Sequence, residues 1–306
     1  YKNAEVIVVD DGSTDGTKKV LEPYIRGKKI RYIYQENKGL AGARNAGIKN
    51  SIGEYIAFLD ADDLFAPEKV AEQAEVLEEN KDFDVCYCDL LHFTDPLPRK
   101  FYSHTITTIT EILRQGRQSS FGVGVYHHRY RYPSGNLFEL LLHKQFINPL
   151  TVSARRGIFE KYGFFDETLR RSEDWDLWLR WSHAGVKFFY LDKPLAYYRI
   201  ASGGNLSSIE SEPAMKEKNF FIFSRIGEKL SEEEWRKYDF ISILNKLRLK
   251  TAFACLIVGD KKSALHWAKN LPSFWKFVVA VLPAAAWKFV LGFMRNIKHR
   301  LLLKKM

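Results

Sequence analysis

One apolar segment ends in a cluster of carboxylates, in the stretch YIAFLDADD. Asp60, Asp62 and Asp63 follow what reads as a buried strand. Two carboxylates spaced D-x-D on a turn can bring two oxygens to one divalent cation, and such hard ligands suit Mg²⁺ or Mn²⁺. A cation held there would clamp a diphosphate. The alternative is that Asp62 and Asp63 only favour the start of the next helix, and for Asp63 alone we prefer it.

A second pair of acids follows the first apolar run of the chain. Asp10 and Asp11 open the octamer DDGSTDGT directly after Val6 to Val9. Asp, Gly and Ser are ordinary turn residues, and Ser13 or Thr14 would make a good helix N-cap. Two carboxylates exceed what capping requires, and a carboxylate can accept hydrogen bonds from a nucleobase imide or from ribose hydroxyls. A nucleoside contact therefore remains open beside the turn interpretation.

Two further segments carry charge among small or aromatic residues. GLAGARNAG holds Arg44 as its only cation, which is either solvated or aimed at a nucleotide. SEDWDLWLRW holds Glu173 and Asp174, which are either first-turn acids of a helix or, for an Asp beside aromatics, a general base. Asp176 and Arg180 are spaced i,i+4, which predicts a surface pair.

The elements that position these residues alternate between strand and helix. Strands are predicted at 6–9, 30–34, 54–59, 83–93 and 187–200, with helices between the first four and another over RRSEDWDLWLRWSHAG. This alternation predicts a mainly parallel sheet covered by helices, with ligands beyond the carboxyl ends of its strands. Residues 96–150 lose the pattern and are predicted to be an insertion or mobile connection. Residues 213–270 are predicted to be helical.

Composition and charge restrict the function classes. The chain has 306 residues, of which 46% are hydrophobic, so it is long enough for a large core. Its three cysteines form no CxxC pair, which argues against a disulfide scaffold or a zinc site and favours a reducing compartment. Residues 1–260 hold 37 basic and 37 acidic residues, so a nucleic-acid partner is not expected.

The net charge of +10 arises entirely in the C-terminal segment. Residues 261–306 contain ten Lys or Arg and no Asp or Glu. The longest uncharged run of the apolar part, residues 277–287, is too short to span a bilayer, which takes roughly 20 residues. Trp275, Trp287, Phe289 and Phe293 among lysines predict that residues 273–306 lie on an anionic membrane surface. The alternative is a helix packed on the catalytic domain.

Taken together, these segments resemble the family 2 glycosyltransferases, inverting enzymes with the nucleotide-diphospho-sugar transferase (GT-A) fold. The resemblance rests on six motifs in order, between residue 1 and about 207: VIVVDDGSTDGT, NKGLAGARNAG, GEYIAFLDADD, GFFDETL, SEDWDLWLRW and YYRIASGGNLS. It implies an α/β fold, GT-A-like and Rossmann-related, in three parts. Residues 1–95 would be the nucleotide-sugar half, 96–212 the acceptor half with the catalytic base, and 213–306 a helical basic region.

The resemblance also implies roles for the acids. Asp10 and Asp11 would contact the nucleoside with Arg44 nearby, and Asp60 and Asp62 would form the D-x-D that holds Mg²⁺ or Mn²⁺ at the donor diphosphate. Asp174 would be the catalytic base, with Glu173 beside it. The implied enzyme moves a hexosyl group, with UDP-sugar as the default donor, to a glycan or lipid-linked saccharide at the inner face of the cell membrane.

Two departures from the family pattern are visible. The first strand and helix that precede YKNAEVIVVDD in relatives are missing from this sequence, so we expect an N-terminally incomplete domain. Ala201 stands where many relatives carry a His that approaches the metal. Two alternatives remain: an inactive sugar-nucleotide-binding partner of another transferase, and an aspartyl phosphatase. The phosphatase is disfavoured because Leu64 stands where Thr or Val is needed.

Overall fold

The protein forms two compact units, Tyr1–Asn205 and Leu206–Met306. A computed structural model describes residues 1–94, 133–200 and 212–281. The described part of the first unit combines strands and helices, whereas that of the second is helical.

The first unit follows the predicted alternation over its first half. Its strands are β1 (Ile7–Asp11), β2 (Arg31–Gln35), β3 (Tyr55–Ala57), β4 (Leu64–Phe65), β5 (Val85–Thr94), β6 (Val152–Arg155) and β7 (Phe188–Ile200). Its helices are α1 (Thr17–Arg26), α2 (Gly39–Asn50), α3 (Lys69–Glu79), α4 (Phe138–His143), α5 (Gly157–Tyr162) and α6 (Glu173–His183), and a 3-10 turn at Pro149–Thr151 precedes β6.

The strands form two sheets, and their directions are mixed. Strands β1 and β2 pair in parallel, with Asp10 opposite Tyr34. The second sheet has the order β3-β6-β5-β7-β4, in which β5 and β7 are parallel and the other pairs are antiparallel. The α/β class is confirmed. The share of parallel pairs is smaller than the alternation suggests, because β4 and β6 are short strands that run against their neighbours.

The segment between α4 and β6 is packed into the core, although the sequence predicted an insertion or mobile connection over 96–150. Leu137, Leu141, Ile147 and Leu150 are buried. The indole of Trp175 donates to the carbonyl of Leu141 at 2.8 Å. The prediction was wrong for residues 133–150, because a six-residue helix is too short to show a helical period. The remainder, up to residue 132, lies outside the described residues.

Helix α6 runs through the middle of the first unit. Nine of its eleven residues are buried, which leaves it almost no solvated face. Trp178 lies edge-on to Phe165 and Phe188, at ring-centre distances of 6.2 Å in both cases. Trp175 and Trp178 are both buried and pack into the core. Because α6 is enclosed, acids in its first turn sit in a dry environment.

The described part of the second unit consists of α7 (Glu212–Gly227), α8 (Glu232–Lys237), α9 (Phe240–Ile257), α10 (Lys261–Ala268) and α11 (Ser273–Val281), as predicted for 213–270. A capping box between Ser231 and Glu234 starts α8. Trp275 packs edge-on against Phe253, and Val279 is fully buried in the same cluster. The start of the basic C-terminal segment, residues 261–306 and below called the basic tail, is therefore part of this core. Among the described helices none has the length and apolarity needed to cross a membrane.

Candidate active site

The two acids at the carboxyl end of β1 are held by neighbouring groups. Asp10 is buried and accepts hydrogen bonds from the Tyr32 hydroxyl at 2.6 Å and from the backbone N–H of Ser13 at 2.8 Å. These bonds favour the charged carboxylate and hold the pKa of Asp10 below its usual value. Asp10 is therefore ionised at neutral pH.

Asp11 fastens the start of α2. One of its oxygens accepts from the Gln35 amide at 2.7 Å and from the Lys38 N–H at 2.9 Å, and the other accepts from the Gly39 N–H at 2.8 Å. Gly39 has φ +77°, a backbone conformation that residues other than glycine rarely adopt. The glycine and the carboxylate together set the direction in which α2 leaves the sheet.

Arg44 of α2 joins two acids that are distant in sequence. Its guanidinium donates to the Glu173 carboxylate at 2.8 Å and to both oxygens of Asp60 at 3.1 Å. It also lies over the Phe165 ring, 5.5 Å from the centroid. The Arg44 and Glu173 side chains are only 8% and 7% exposed, whereas that of Asp60 is 33% exposed, so the cluster is buried at its Glu173 end. Of the predicted site residues, the structure brings Arg44, Asp60 and Glu173 together, with Asp174 adjacent to Glu173.

Asn45, next to Arg44, anchors the segment before α6. Its amide exchanges hydrogen bonds with the backbone carbonyl and N–H of Phe165, at 2.9 and 3.1 Å. It also donates to the Glu167 carboxylate at 2.9 Å. The motif GFFDETL is thereby tied to α2, which places the Phe165 ring against Arg44. Sequence reasoning gave Asn45 no role.

Asp174 is a buried acid with few polar partners among the residues that the structure describes. It is buried in the first turn of α6, where its oxygens accept from the Gln145 amide and from the Trp175 N–H, both at 2.7 Å. Burial, reinforced by the nearby Glu173 charge, raises the pKa of Asp174 to about 7. Arg44 opposes this rise. A carboxyl with such a pKa can exchange a proton near neutral pH.

Asp176 and Arg180 form a buried pair, and the prediction of a surface pair was wrong. The Asp176 side chain is 2% exposed and accepts from Arg180 at 2.8 Å. Arg180 also donates to the backbone carbonyl of Phe164 at 2.7 Å. The i,i+4 spacing correctly gave the partners, but the segment before α6 covers both of them. This acid serves the fold rather than the candidate site.

The D-x-D loop has one exposed and one buried acid beside the end of β7. Asp62 is exposed, and its carboxylate accepts no hydrogen bond within the part of the chain that the structure describes. Asp63 accepts from the Arg199 N–H at 2.8 Å, while its second oxygen is buried without a partner among the described residues. Burial raises the pKa of Asp63 to about 6. Sequence reasoning missed Arg199, which also donates to the Asp62 carbonyl at 2.6 Å.

The described acids of this loop supply two candidate metal ligands, Asp60 and Asp62. Within residues 1–94, 133–200 and 212–281 no group of three or more His, Cys, Asp or Glu is arranged to hold a metal ion. Asp60 and Asp62 offer two hard oxygen ligands, which is the usual protein share where Mg²⁺ also binds substrate phosphates and water. The donor set therefore fits a cation shared with a diphosphate. Ala201 lies outside the described residues.

Comparisons with known proteins agree with these features. The sequence profile of glycosyl transferase family 2 matches residues 1–163. An uncharacterized glycosyltransferase of Rickettsia felis is 34% identical over 206 residues, which are 67% of this chain and 29% of that protein. The chondroitin synthase of Escherichia coli is 28% identical over 79% of this chain and 30% of its own length. This chain thus spans less than a third of the length of each of these two relatives.

Solved structures share the fold at low identity. TarS residues 1–349 of S. aureus match with a TM-score of 0.54 and 17% identity, over 92% of this chain and 78% of that one. A mannosyltransferase of Pyrobaculum calidifontis, solved with GDP-Man and Mn²⁺, matches with a TM-score of 0.51 and 17% identity, over 95% of this chain and 70% of that one. The predicted GT-A-like fold is confirmed, and the phosphatase alternative is wrong. The chain belongs to glycosyl transferase family 2.

Proposed function

We propose that this protein transfers a sugar from a nucleotide-diphospho-sugar, with inversion, to a hydroxyl of a glycan or lipid-linked saccharide in cell-surface polysaccharide synthesis. One observation carries the proposal: Arg44 links Asp60 of the D-x-D loop to Glu173, the neighbour of Asp174. The proposed diphosphate site and the helix turn that carries the proposed base are thereby joined through one buried arginine. The chondroitin synthase relative supports polysaccharide synthesis as the setting.

In the proposed reaction, Asp174 takes the proton of the acceptor hydroxyl. The hydroxyl oxygen attacks the anomeric carbon, and the bond from that carbon to the diphosphate oxygen breaks, so its electron pair leaves with the nucleoside diphosphate. A pKa near 7 makes Asp174 a base of useful strength at neutral pH. A single displacement inverts the anomeric configuration.

Asp60 and Asp62 would hold Mg²⁺ or Mn²⁺, which neutralises the diphosphate charge when bound. The exposed Asp62 carboxylate is free of hydrogen bonds from the described residues, so it is available as a ligand. The Mn²⁺ bound to the Pyrobaculum mannosyltransferase supports the same kind of cation here. Arg44 keeps Asp60 at the edge of this site.

Asp10, Asp11 and Arg44 would form the nucleoside side of the site. Among the described residues, Asp11 accepts three hydrogen bonds and Asp10 two, and a carboxylate has about four acceptor positions. Each acid therefore keeps room to accept from a ribose hydroxyl or a base imide. UDP is the proposed nucleotide, and the GDP-Man complex of the Pyrobaculum enzyme makes GDP the first alternative to test.

The basic tail would hold the protein on the inner face of the cell membrane. Trp275 and Val279 belong to the core of the second unit, so membrane contact falls to residues 282–306, which lie outside the described residues. They carry six of the ten tail cations. Each contributes about 1 kcal/mol near an anionic surface.

Truncation after Val281 should abolish binding to vesicles rich in anionic lipid, because it removes these cations and leaves the core helix α11 intact. Binding of the full chain should also fall at high salt through screening. Co-sedimentation measures both effects, with Lys28→Gln on the first unit as a control that should bind normally. Equal binding of the truncated chain would remove the membrane from the account.

A panel of UDP- and GDP-sugars tests the catalytic proposal. With Mn²⁺ and a saccharide acceptor, one donor should be consumed, and proton NMR of the product should show the inverted anomer. A retained anomer would contradict the single displacement. Nucleotide binding without transfer from any donor would favour the alternative of an inactive binding partner.

A further inference from the structure

An exposed amide reaches the buried carboxylate of Asp174. The Gln145 side chain is exposed, yet its Nε2 donates to Asp174 Oδ2 at 2.7 Å. The other carboxylate oxygen accepts from the Trp175 N–H at 2.7 Å. Within the described part of the chain, each oxygen of Asp174 therefore has one donor: a backbone N–H of α6 for one oxygen and the Gln145 side chain for the other.

The segment that carries Gln145 is fixed on both sides. The Trp175 indole donates to the carbonyl of Leu141 at 2.8 Å, and the Trp178 indole donates to the carbonyl of Ile147 at 3.1 Å. Leu141 and Ile147 are buried, so these two bonds tie the backbone before and after Gln145 to α6. The amide is thereby held in register with Asp174 by the same helix that carries the carboxylate.

We propose that Gln145 is a positioning residue for Asp174, which orients the carboxylate and stabilises its ionised form. The inference rests on the proposed role of Asp174 as the base. An amide donor favours the charged carboxylate over the neutral acid, and bonds to charged groups are stronger than those between neutral groups. Two donors fix the plane of the carboxylate, which leaves its remaining lone pairs in a defined direction for an acceptor hydroxyl.

The other charges around Asp174 set the expected direction of change. Glu173, on the same helix, disfavours the ionised form, and Arg44, from α2, favours it. Asp60 lies beyond Arg44 and is paired to it. Gln145 adds a neutral donor to this set, so its removal leaves burial and Glu173 less opposed. The pKa of Asp174 should then rise.

The test is a ¹³C NMR titration of the Asp174 carboxyl in the full chain labelled at aspartate, with the resonance assigned by its loss in Asp174→Asn. Gln145→Leu should raise the midpoint by roughly half a unit to one unit. Gln145→Glu should raise it further, because it adds a like charge. Glu139→Gln, an exposed change on α4, is the control and should leave the midpoint unchanged.

Kinetics with the donor found active in the panel provide a second readout. In Gln145→Leu the acid limb of the kcat/KM profile should move to higher pH with the donor KM unchanged. A titration midpoint equal to wild type in both variants would overturn the inference, as would a loss of rate that is the same at every pH. Full turnover of Asp174→Asn would instead refute the proposed base, independently of the Gln145 titration.

Discussion

The carboxyl ends of β1 and β3 and the first turn of α6 present the same residue type in opposite environments. Asp10 is surrounded by donors, which lower its pKa, and Asp62 is open to solvent. Asp174 lies in the first turn of the buried helix α6, and burial raises its pKa to about 7. Asp10 is suited to remain charged and the exposed Asp62 is placed to meet a cation, whereas Asp174 is suited to exchange a proton.

This contrast shows that the role of a carboxylate depends on its burial and hydrogen-bond partners as well as on its residue type. Carboxylates whose environments move their pKa values apart can take different roles in one reaction. Asp176 is a third case, since it is also buried but is paired with the cation of Arg180. The largest effects should therefore come from substitutions that remove the charge of one of these acids, or that remove Arg44, which joins Asp60 to Glu173.

Asp62→Asn should give the largest effect, a loss of transfer activity of at least about 10²-fold. A neutral amide is a poor ligand for the cation, so the charge of the diphosphate would not be neutralised. Removal of the cation with EDTA should have the same effect on wild type. Initial rates measure this, with Asp82→Asn as a control at another exposed acid that should keep wild-type activity. Full turnover of Asp62→Asn, or of wild type in excess EDTA, would remove the metal from this account.

Arg44→Ala should destabilise the fold by about 3–5 kcal/mol, because it leaves the buried Glu173 without its cation. Arg26→Ala is the control, since Arg26 belongs to an exposed pair with Glu22 and should cost no more than about 1 kcal/mol. Chemical denaturation measures both. The Glu173→Gln background should remove much of the Arg44→Ala effect, and equal costs in both backgrounds would show that the pair is not coupled.

Asp10→Asn should give the smallest effect on stability, and it should change how stability depends on pH and how Tyr32 titrates. Because the folded-state pKa of Asp10 is lowered, its ionised form contributes stability above its ordinary value of 3.8, which is lost as pH falls through the folded pKa. The variant should therefore lose less stability between pH 5 and 2 than wild type. In wild type the hydrogen bond to Asp10 raises the pKa of Tyr32 to about 12. Spectrophotometric titration of the variant should show this pKa moving back toward its ordinary value of 10. Unchanged curves would contradict the hydrogen bond.

Sequence order was enough to predict which acids follow which strands, because strand ends are marked by abrupt changes from apolar to polar residues. It also predicted the helix that carries Glu173 and Asp174. It could not predict that Arg44 contacts Glu173, 129 positions away, because such a pair depends on how α2 packs against α6. A local sequence pattern predicts contacts within one helix or strand, whereas this contact joins two helices.

Burial was the property least accessible from the sequence. Asp176 and Arg180 have the spacing of a solvated pair, and only the segment with Phe164 makes them interior. Lys69 is a stronger example: it is fully buried over the Phe65 ring, although a lysine in a polar helix predicts exposure. Gln145 left no signal, since its role depends on a loop fixed by two tryptophans.

The central claim is that Asp174 is the catalytic base, and the pH dependence of kcat/KM tests it most directly. Wild type should lose activity as pH falls, with an apparent pKa near 7, because the raised pKa of Asp174 leaves it protonated and unable to accept a proton below that value. Asp174→Asn should bind the nucleotide normally, turn over about 10²-fold more slowly at neutral pH and lack this acid limb. A wild-type profile that is flat from pH 5.5 to 8, or an Asp174→Asn enzyme that keeps the same limb, would contradict the account.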